Sequence, residues 1–369
     1  MRIAHIGSKG IPSKGGTERV VEAVATRHAR KHEVTVYGSA RACSTAMYRG
    51  VRVLAIPTPA AKHLGPVVLQ LRAALHALLH ERYDVVHVHA SENGFVVPLL
   101  RLRYPVVTTN HGPAYKREKW GVVARRLIRA NERFSVRSAT IATAVAGNQA
   151  EHLSKRYGRR VVHVPNGVDP HEPTATDEAR ALLGRHGLER EDYVLFAAAR
   201  VDPTKGCHTL LEACHRLQAP PPVLVIGDLG HAAGYEAELR RLAEGLRVSF
   251  VPRLDDKAVL MGLLQTCRVF VFPSTVEAMS MMLLEALAVG TLGLVSDISE
   301  NTAILPEDYP TFAVGDGADL GRRLESALAW DERERSLLKD RGQEWVQERY
   351  DWERIAAQYE ELYGRAIRR

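Results

Sequence analysis

The sequence predicts an α/β protein of two Rossmann-like domains, and three observations carry that expectation. Short Val- and Ile-rich runs alternate with helical periodicities along the 369 residues, the rhythm of parallel strands joined by crossover helices. The rhythm occurs in both halves, without a fixed-period repeat, and Pro165-Asn-Gly-Val-Asp169 stands where they meet. Proline and an Asn-Gly pair suit a linker. The length is also enough for two cores.

Composition narrows the class. Hydrophobic residues make up 46% and charged residues 25%, ordinary for a soluble globular protein. No run approaches the ~18 apolar residues of a membrane-spanning helix. Met1-Arg-Ile-Ala-His-Ile6 enters a strand directly, so no signal peptide is expected. The cysteines Cys43, Cys207, Cys214 and Cys267 lack metal-ligand spacing; reduced, mostly buried thiols in a cytoplasm account for them. Residues 1–169 hold 27 Lys and Arg against 10 Asp and Glu, whereas 170–369 hold 23 against 33. So basic a first half points to an anionic partner: a membrane surface, a lipid diphosphate or nucleic acid.

In chain order, Arg2–Gly7 reads as a strand that enters a glycine-rich loop. The loop runs through Lys9 and Lys14 to Gly15-Gly16, and a helix follows with Val20, Val21, Val24 and Ala25 on one side. Strand, small-residue loop and helix together form a phosphate cradle, because backbone N–H groups can approach an anion. Neither a Walker loop nor GxGxxG is present. His32–Gly38 and Val51–Ile56 are further strands, Gln70–His80 is helical, and Tyr83–Ala90 is a strand. His87 and His89 share a face of that strand, which suggests a metal pair, but no third ligand lies near in sequence. Hydrogen-bonded structural histidines are expected. Pro105–Gly112 is a strand ending at His111; a histidine at a carboxyl end in an open α/β sheet sits where ligands bind. After Tyr115-Lys-Arg-Glu-Lys-Trp120 a helix runs to about Ser138. Its Arg125, Arg126, Arg129, Arg133 and Arg137 alternate with Val123, Leu127, Ile128 and Phe134, a pattern that can lie on anionic lipid.

In the second half, Tyr193–Arg200 is a buried strand. It leads through Arg200-Val-Asp-Pro-Thr-Lys205-Gly206 into a helix. Two cations at such a turn can converge on a diphosphate. Val248–Arg253 is a further strand, ending at Arg253. Arg268–Phe272 is another, ending at Pro273-Ser274. A loop then carries Glu277, and Met281–Val289 reads as a helix closed by Gly290. That helix is apolar all round, and Glu285 is its only charge. A buried carboxylate needs partners, and a vicinal diol offers two hydrogen bonds. The helix start at Ser280, Met281 and Met282 offers unpaired N–H groups to a phosphate.

Glu277 and Glu285, with seven residues between them in a strand–loop–helix setting, resemble the Glu-x7-Glu motif of retaining GT-B glycosyltransferases, especially glycosyltransferase family 4. Arg200…Lys205-Gly206 and Pro-Asn-Gly-Val-Asp resemble further signatures of that family. Where the family often has Glu-Gly-Phe-Gly, this chain has Glu277-Ala-Met-Ser280. The resemblance covers nearly the whole chain. It implies two Rossmann-like domains across a cleft. Residues 1–168 would be the acceptor domain, completed by a helix over 350–369 that crosses back to it, and 169–349 the donor domain. It implies transfer of a sugar from a nucleotide-sugar donor (UDP, dTDP or GDP) to a glycan or polyprenyl-diphosphate-linked acceptor in cell-surface polysaccharide synthesis. His111, Arg200, Lys205 and Glu277 would be catalytic. Gly15, Gly16, Arg253, Ser280, Met281, Met282 and Glu285 would bind the donor, with Glu285 on the ribose. A front-face mechanism, in which the leaving phosphate assists the acceptor hydroxyl, is commonly proposed for the family. The tract before Gly121 resembles rhamnosyltransferase-like members.

No Asp-x-Asp triplet is present, so neither metal nor other cofactor is expected. The expected location is cytoplasmic and peripheral on the inner membrane face, through Arg125, Arg126 and Arg129. A GT-B-like sugar-nucleotide epimerase would share the fold and nucleotide binding. A dinucleotide oxidoreductase would need the absent GxGxxG. A nucleic-acid-binding protein would use the basic half alone, but no aromatic stacking platform supports it, and no nucleic-acid partner is expected.

Overall fold

The computed structural model describes every residue except 14, 62–63, 114, 116–120, 171–175 and 231–232. Lys14 and the 116–120 tract therefore lie outside the described residues. The chain forms two compact units, one of Met1–Gly167 with Trp352–Arg369 and the other of Val168–Asp351. Both are parallel α/β sheets, as the alternating sequence predicts.

In the first unit the strands are β1 (Arg2–Ile6), β2 (Glu33–Ser39), β3 (Met47–Tyr48), β4 (Val51–Ile56), β5 (Val85–His89), β6 (Val106–Asn110), β7 (Ile141–Ala144) and β8 (Val161–His163). They lie in the order β3-β4-β2-β1-β5-β6-β7-β8, parallel apart from the β3–β4 pair. The strand order reverses direction between β1 and β5, the switch point at which open α/β sheets hold ligands. β1, β5 and β6 are buried almost throughout, and they carry His5, His87, His89, Thr108, Thr109 and Asn110 into that interior alongside their apolar side chains. Gly7 lets the chain leave β1 against β5. Its φ is +112°, and a Cβ there would sit 2.2 Å from the His89 carbonyl oxygen. The helix Leu64–His80 starts earlier than its apolar periodicity suggests, since Pro66 is tolerated in a first turn.

The second unit holds β9 (Val194–Arg200), β10 (Val223–Asp228), β11 (Val248–Val251), β12 (Val269–Phe272), β13 (Gly293–Ser296) and β14 (Thr311–Phe312). Their order is β11-β10-β9-β12-β13-β14, all parallel. Its switch point lies between β9 and β12. Cys207 and Cys214 are buried in this unit's core. Cys267 is buried as well, Cys43 is half-buried, and all four are free thiols.

The helix Trp352–Ile367 completes the first unit. Tyr359 and Tyr363 are fully buried. The Tyr363 hydroxyl lies 2.7 Å from His87 Nδ1, and that of Tyr359 lies 3.1 Å from Thr109 Oγ1. On the helix Gly16–His28, His28 Nε2 donates to the Ala356 carbonyl at 2.8 Å. Arg30 and His32 pair with Glu353 and Glu360.

A layer of buried histidines results. Burial, reinforced by neighbouring imidazoles, lowers His5 to about 3 and drives His87 and His89 well below the usual 6.5. These groups stay neutral in the fold but take up protons in the unfolded chain below about 6.5. Their contribution to stability is therefore complete above that pH and declines as the pH falls toward the folded values. Each contributes a slope approaching ~1.4 kcal/mol per pH unit. Urea midpoints measured at pH 7.5, 6.5 and 5.5 should drop at the lowest pH, and a flat profile would contradict the neutral layer. Tyr363→Phe should cost about 1–3 kcal/mol by leaving His87 Nδ1 unpaired, read as a lower midpoint with unchanged m-value.

Candidate active site

At the switch point of the second unit two loops meet. Asp202 caps the turn Pro203–Lys205, its Oδ1 accepting from the Thr204 N–H at 3.0 Å. Thr275 N–H, beyond β12, donates to the Thr204 carbonyl at 2.8 Å. Gly206 has φ +70°, and a Cβ on it would meet the Pro273 carbonyl oxygen at 2.1 Å. The glycine after Lys205 is thus required by close approach of two backbones. The loops bring Lys205 and Glu277 together, with Nζ 2.6 Å from Oε1. Both side chains are largely buried, 26% and 12% exposed, so the pair is shielded from solvent more than a surface ion pair would be.

The helix after Glu277 spans Met281–Ala288. Ser280 caps it, its Oγ accepting from the Leu283 N–H at 3.2 Å. The cap takes one amide of the first turn, whereas those of Met281 and Met282 have no intrahelical acceptor by the geometry of any helix. Leu283–Ala288 are buried on all sides, as an all-apolar helix requires. Glu285 is 1% exposed, and Lys257 Nζ lies 3.0 Å from its Oε1. Sequence reasoning did not find Lys257. It opens the helix Lys257–Thr266 behind the Asp256 cap, and no local pattern links it to a residue 28 positions on. Arg200 ends β9 with an exposed side chain. Arg253 is a surface residue with Asp255 at 3.5 Å.

In the first unit, helix Gly16–His28 starts behind Gly15. The preceding loop is tied to it, Lys9 N–H donating to Glu18 at 3.3 Å and Ser13 N–H to Glu22 at 2.6 Å. A Cβ on Gly16 would meet nothing within 4 Å, so the protein's own packing does not call for that glycine. His111 follows β6. The turn around it is closed by Asn110 Oδ1, which accepts from the Gly112 N–H at 2.7 Å. Its Nε2 lies 3.3 Å from His89 Nδ1, and burial lowers it to about 4. His89 Nε2 lies 3.0 Å from His5 Nδ1. His5 is a site neighbour that sequence reasoning missed, because only the β1–β5 register brings it there.

The helix Val122–Ser138 exposes Val123, Leu127 and Phe134 beside Arg126 and Arg129, with Arg125 half-buried. Arg129 stacks over the Tyr115 ring at 4.8 Å. Among the described residues no helix is long and apolar enough to cross a membrane.

The chain matches two family models, Glycosyltransferase Family 4 over residues 14–172 and Glycosyl transferases group 1 over residues 180–361. It is similar to the phosphatidyl-myo-inositol mannosyltransferase of Mycobacterium tuberculosis, with 28% identity spanning 98% of this chain and 96% of that protein. It is also similar to the D-inositol 3-phosphate glycosyltransferase of Geodermatophilus obscurus, 33% identical over 60% of this chain and 55% of that one. Among solved structures, sucrose-phosphate synthase of Thermosynechococcus elongatus superposes with a TM-score of 0.81 at 22% identity, over 99% and 98% of the two chains. HepE of Anabaena, solved with UDP-glucose, gives 0.80 at 18% identity over 99% of each. Two parallel-sheet Rossmann-like units and family models spanning nearly all of the sequence lead to one assignment: the chain belongs to glycosyltransferase family 4 and is a glycosyltransferase of GT-B fold.

Proposed function

We propose that this glycosyltransferase takes its sugar from a nucleoside-diphosphate donor. It transfers the sugar, with retention at the anomeric carbon, to a glycan or polyprenyl-diphosphate-linked acceptor in cell-surface polysaccharide synthesis. One observation carries the reading. Lys205, Glu277 and the Ser280-capped helix that holds Glu285 gather at a single switch point. That group offers a cation and open amides to a diphosphate, and carboxylates to hydroxyl donors. A neighbour solved with UDP-glucose supports a nucleotide-sugar donor. A relative named as a mannosyltransferase of phosphatidyl-myo-inositol supports a lipid-linked acceptor.

In this reading the bond from the anomeric carbon to the β-phosphate oxygen breaks, and the acceptor oxygen bonds to the same face. The acceptor's proton passes to the leaving phosphate. Arg200, Lys205 and the amides of Met281 and Met282 stabilise the charge that develops on the diphosphate. Those fixed donors are the basis for proposing that no metal takes part. Glu285 accepts hydrogen bonds from the ribose diol, and Lys257 shares that carboxylate. Glu277 and His111 orient the sugar. Gly15 and Gly16 leave room for a phosphate or the acceptor, and Arg253 lies on the base side. Exposed Val123, Leu127 and Phe134 beside Arg125, Arg126 and Arg129 support peripheral contact with anionic lipid on the cytoplasmic face.

A thermal-shift series with UDP, GDP, dTDP and ADP, free and as sugar conjugates, with and without Mg²⁺, tests the donor. One nucleotide should raise Tm without metal; no response to any of them would sink the reading. Glu285→Ala should weaken binding of that nucleotide roughly tenfold to a hundredfold. Lys205→Ala should slow transfer by about 10²–10³. Replacing Arg125, Arg126 and Arg129 with Gln should lower sedimentation with phosphatidylglycerol vesicles, and unchanged binding would remove the helix from the membrane role.

A further inference from the structure

Four histidines of the first unit, His5, His87, His89 and His111, stand side by side where β1, β5 and β6 end. Ligating atoms of His5, His87 and His89 lie within 4.8 Å of one another, a spacing a metal ion could use. The hydrogen bonds point elsewhere, because five of the six ring nitrogens of those three residues already have partners.

The protons can be placed by following the donors. Thr143 Oγ1 donates to the Thr108 carbonyl at 2.9 Å, so at its 2.8 Å contact with Thr109 it must accept. Thr109 has then used its only proton. His87 Nε2, 2.7 Å away, must carry a hydrogen, and His87 Nδ1 accepts from the Tyr363 hydroxyl. His87 is thereby saturated and stands apart from the other three.

His5, His89 and His111 form a chain of neutral rings, each with one N–H and one lone pair. Such a chain must run in a single direction. Its inner end is His5 Nε2, which is buried without a partner. If His111 donated inward, that end would be a buried N–H with no acceptor, the rarer and costlier orphan. If His5 donates outward from Nδ1, the orphan is only a lone pair. His89 then accepts at Nε2 and donates from Nδ1, and His111 accepts at Nε2. The proton of His111 is left on Nδ1, which has no hydrogen-bond partner among the described residues.

We infer that His5 and His89 are positioning residues that hold His111 as its Nδ1–H tautomer. His111 thereby presents a neutral hydrogen-bond donor to an oxygen of the donor sugar. This rests on the reading of His111 as a sugar-side residue. It adds that the ring works as a donor, and that its direction is set two residues away in space by a strand that does not carry it.

Long-range ¹H–¹⁵N correlation spectra of ¹⁵N-histidine-labelled protein read the tautomer directly, with His111→Gln identifying the His111 signals. In the free protein at pH 7.5, His111 should be Nδ1–H, favoured by roughly tenfold or more. His5→Phe should abolish that preference. His5→Asn, whose side-chain amide places a donor near the position of Nδ1, should restore it. An Nε2–H tautomer in the unmutated protein overturns the inference without recourse to any variant. So does an Nδ1–H preference that survives His5→Phe. The sugar-side reading fails separately, if His111→Ala leaves transfer from the nucleotide sugar unchanged while the tautomer result stands.

Discussion

Parallel strand pairing is the constraint on which the rest of this structure depends. Two parallel neighbours cannot be joined by a tight turn, so each connection between parallel strands crosses back over the sheet and, the antiparallel β3 apart, the carboxyl ends emerge at one edge. A short loop leaving any strand therefore opens at that edge. Where successive connections diverge to opposite sides, between β1 and β5 and between β9 and β12, the loops separate. Lys205 and Glu277 are 72 residues apart and His5 and His89 are 84 apart, yet each pair meets at such a point. The side chains require no special long-range design beyond the register of the strands beneath them.

Once gathered there, polar groups must satisfy one another. Glu277 and Glu285 in the second unit each hold a lysine, at 2.6 and 3.0 Å. Burying a carboxylate without compensation is costly, and a cation alone offsets it only when the geometry is good. The first unit solves the same problem with neutral rings, passing one hydrogen bond from imidazole to imidazole and letting burial suppress their charge. On the proposed mechanism the difference is functional. Lys205, already held by Glu277, is preorganised for a diphosphate, and a ligand with both phosphates and hydroxyls can replace what it displaces on each side.

Much of this was legible in the sequence, for identifiable reasons. Buried parallel strands read as Val- and Ile-rich runs, so the α/β class and the loops after Arg200 and Phe272 followed from local pattern. Glu285 stood out because a single charge in an apolar helix has few explanations. Lys257 was invisible, as were His5 and the tyrosines that meet His87 and Thr109. Their partners are set by packing between elements, and nothing adjacent in the chain marks them. The glycine after Lys205 was part of a recognised motif, but its physical reason, a backbone passing 2.1 Å from where a Cβ would be, appears only in three dimensions. The start of helix Leu64–His80 was hidden by Gly65 and Pro66, which carry no amphipathic signal.

The helix Trp352–Ile367 belongs to the unit whose other residues end at Gly167, so the second unit is an insertion in the first. During synthesis, β5 and β6 leave the ribosome long before Tyr359 and Tyr363 exist to meet Thr109 and His87. The first unit therefore waits with its histidine layer incomplete, whereas the inserted unit is contiguous and can close on itself as it emerges. In this chain the part made first is the part finished last.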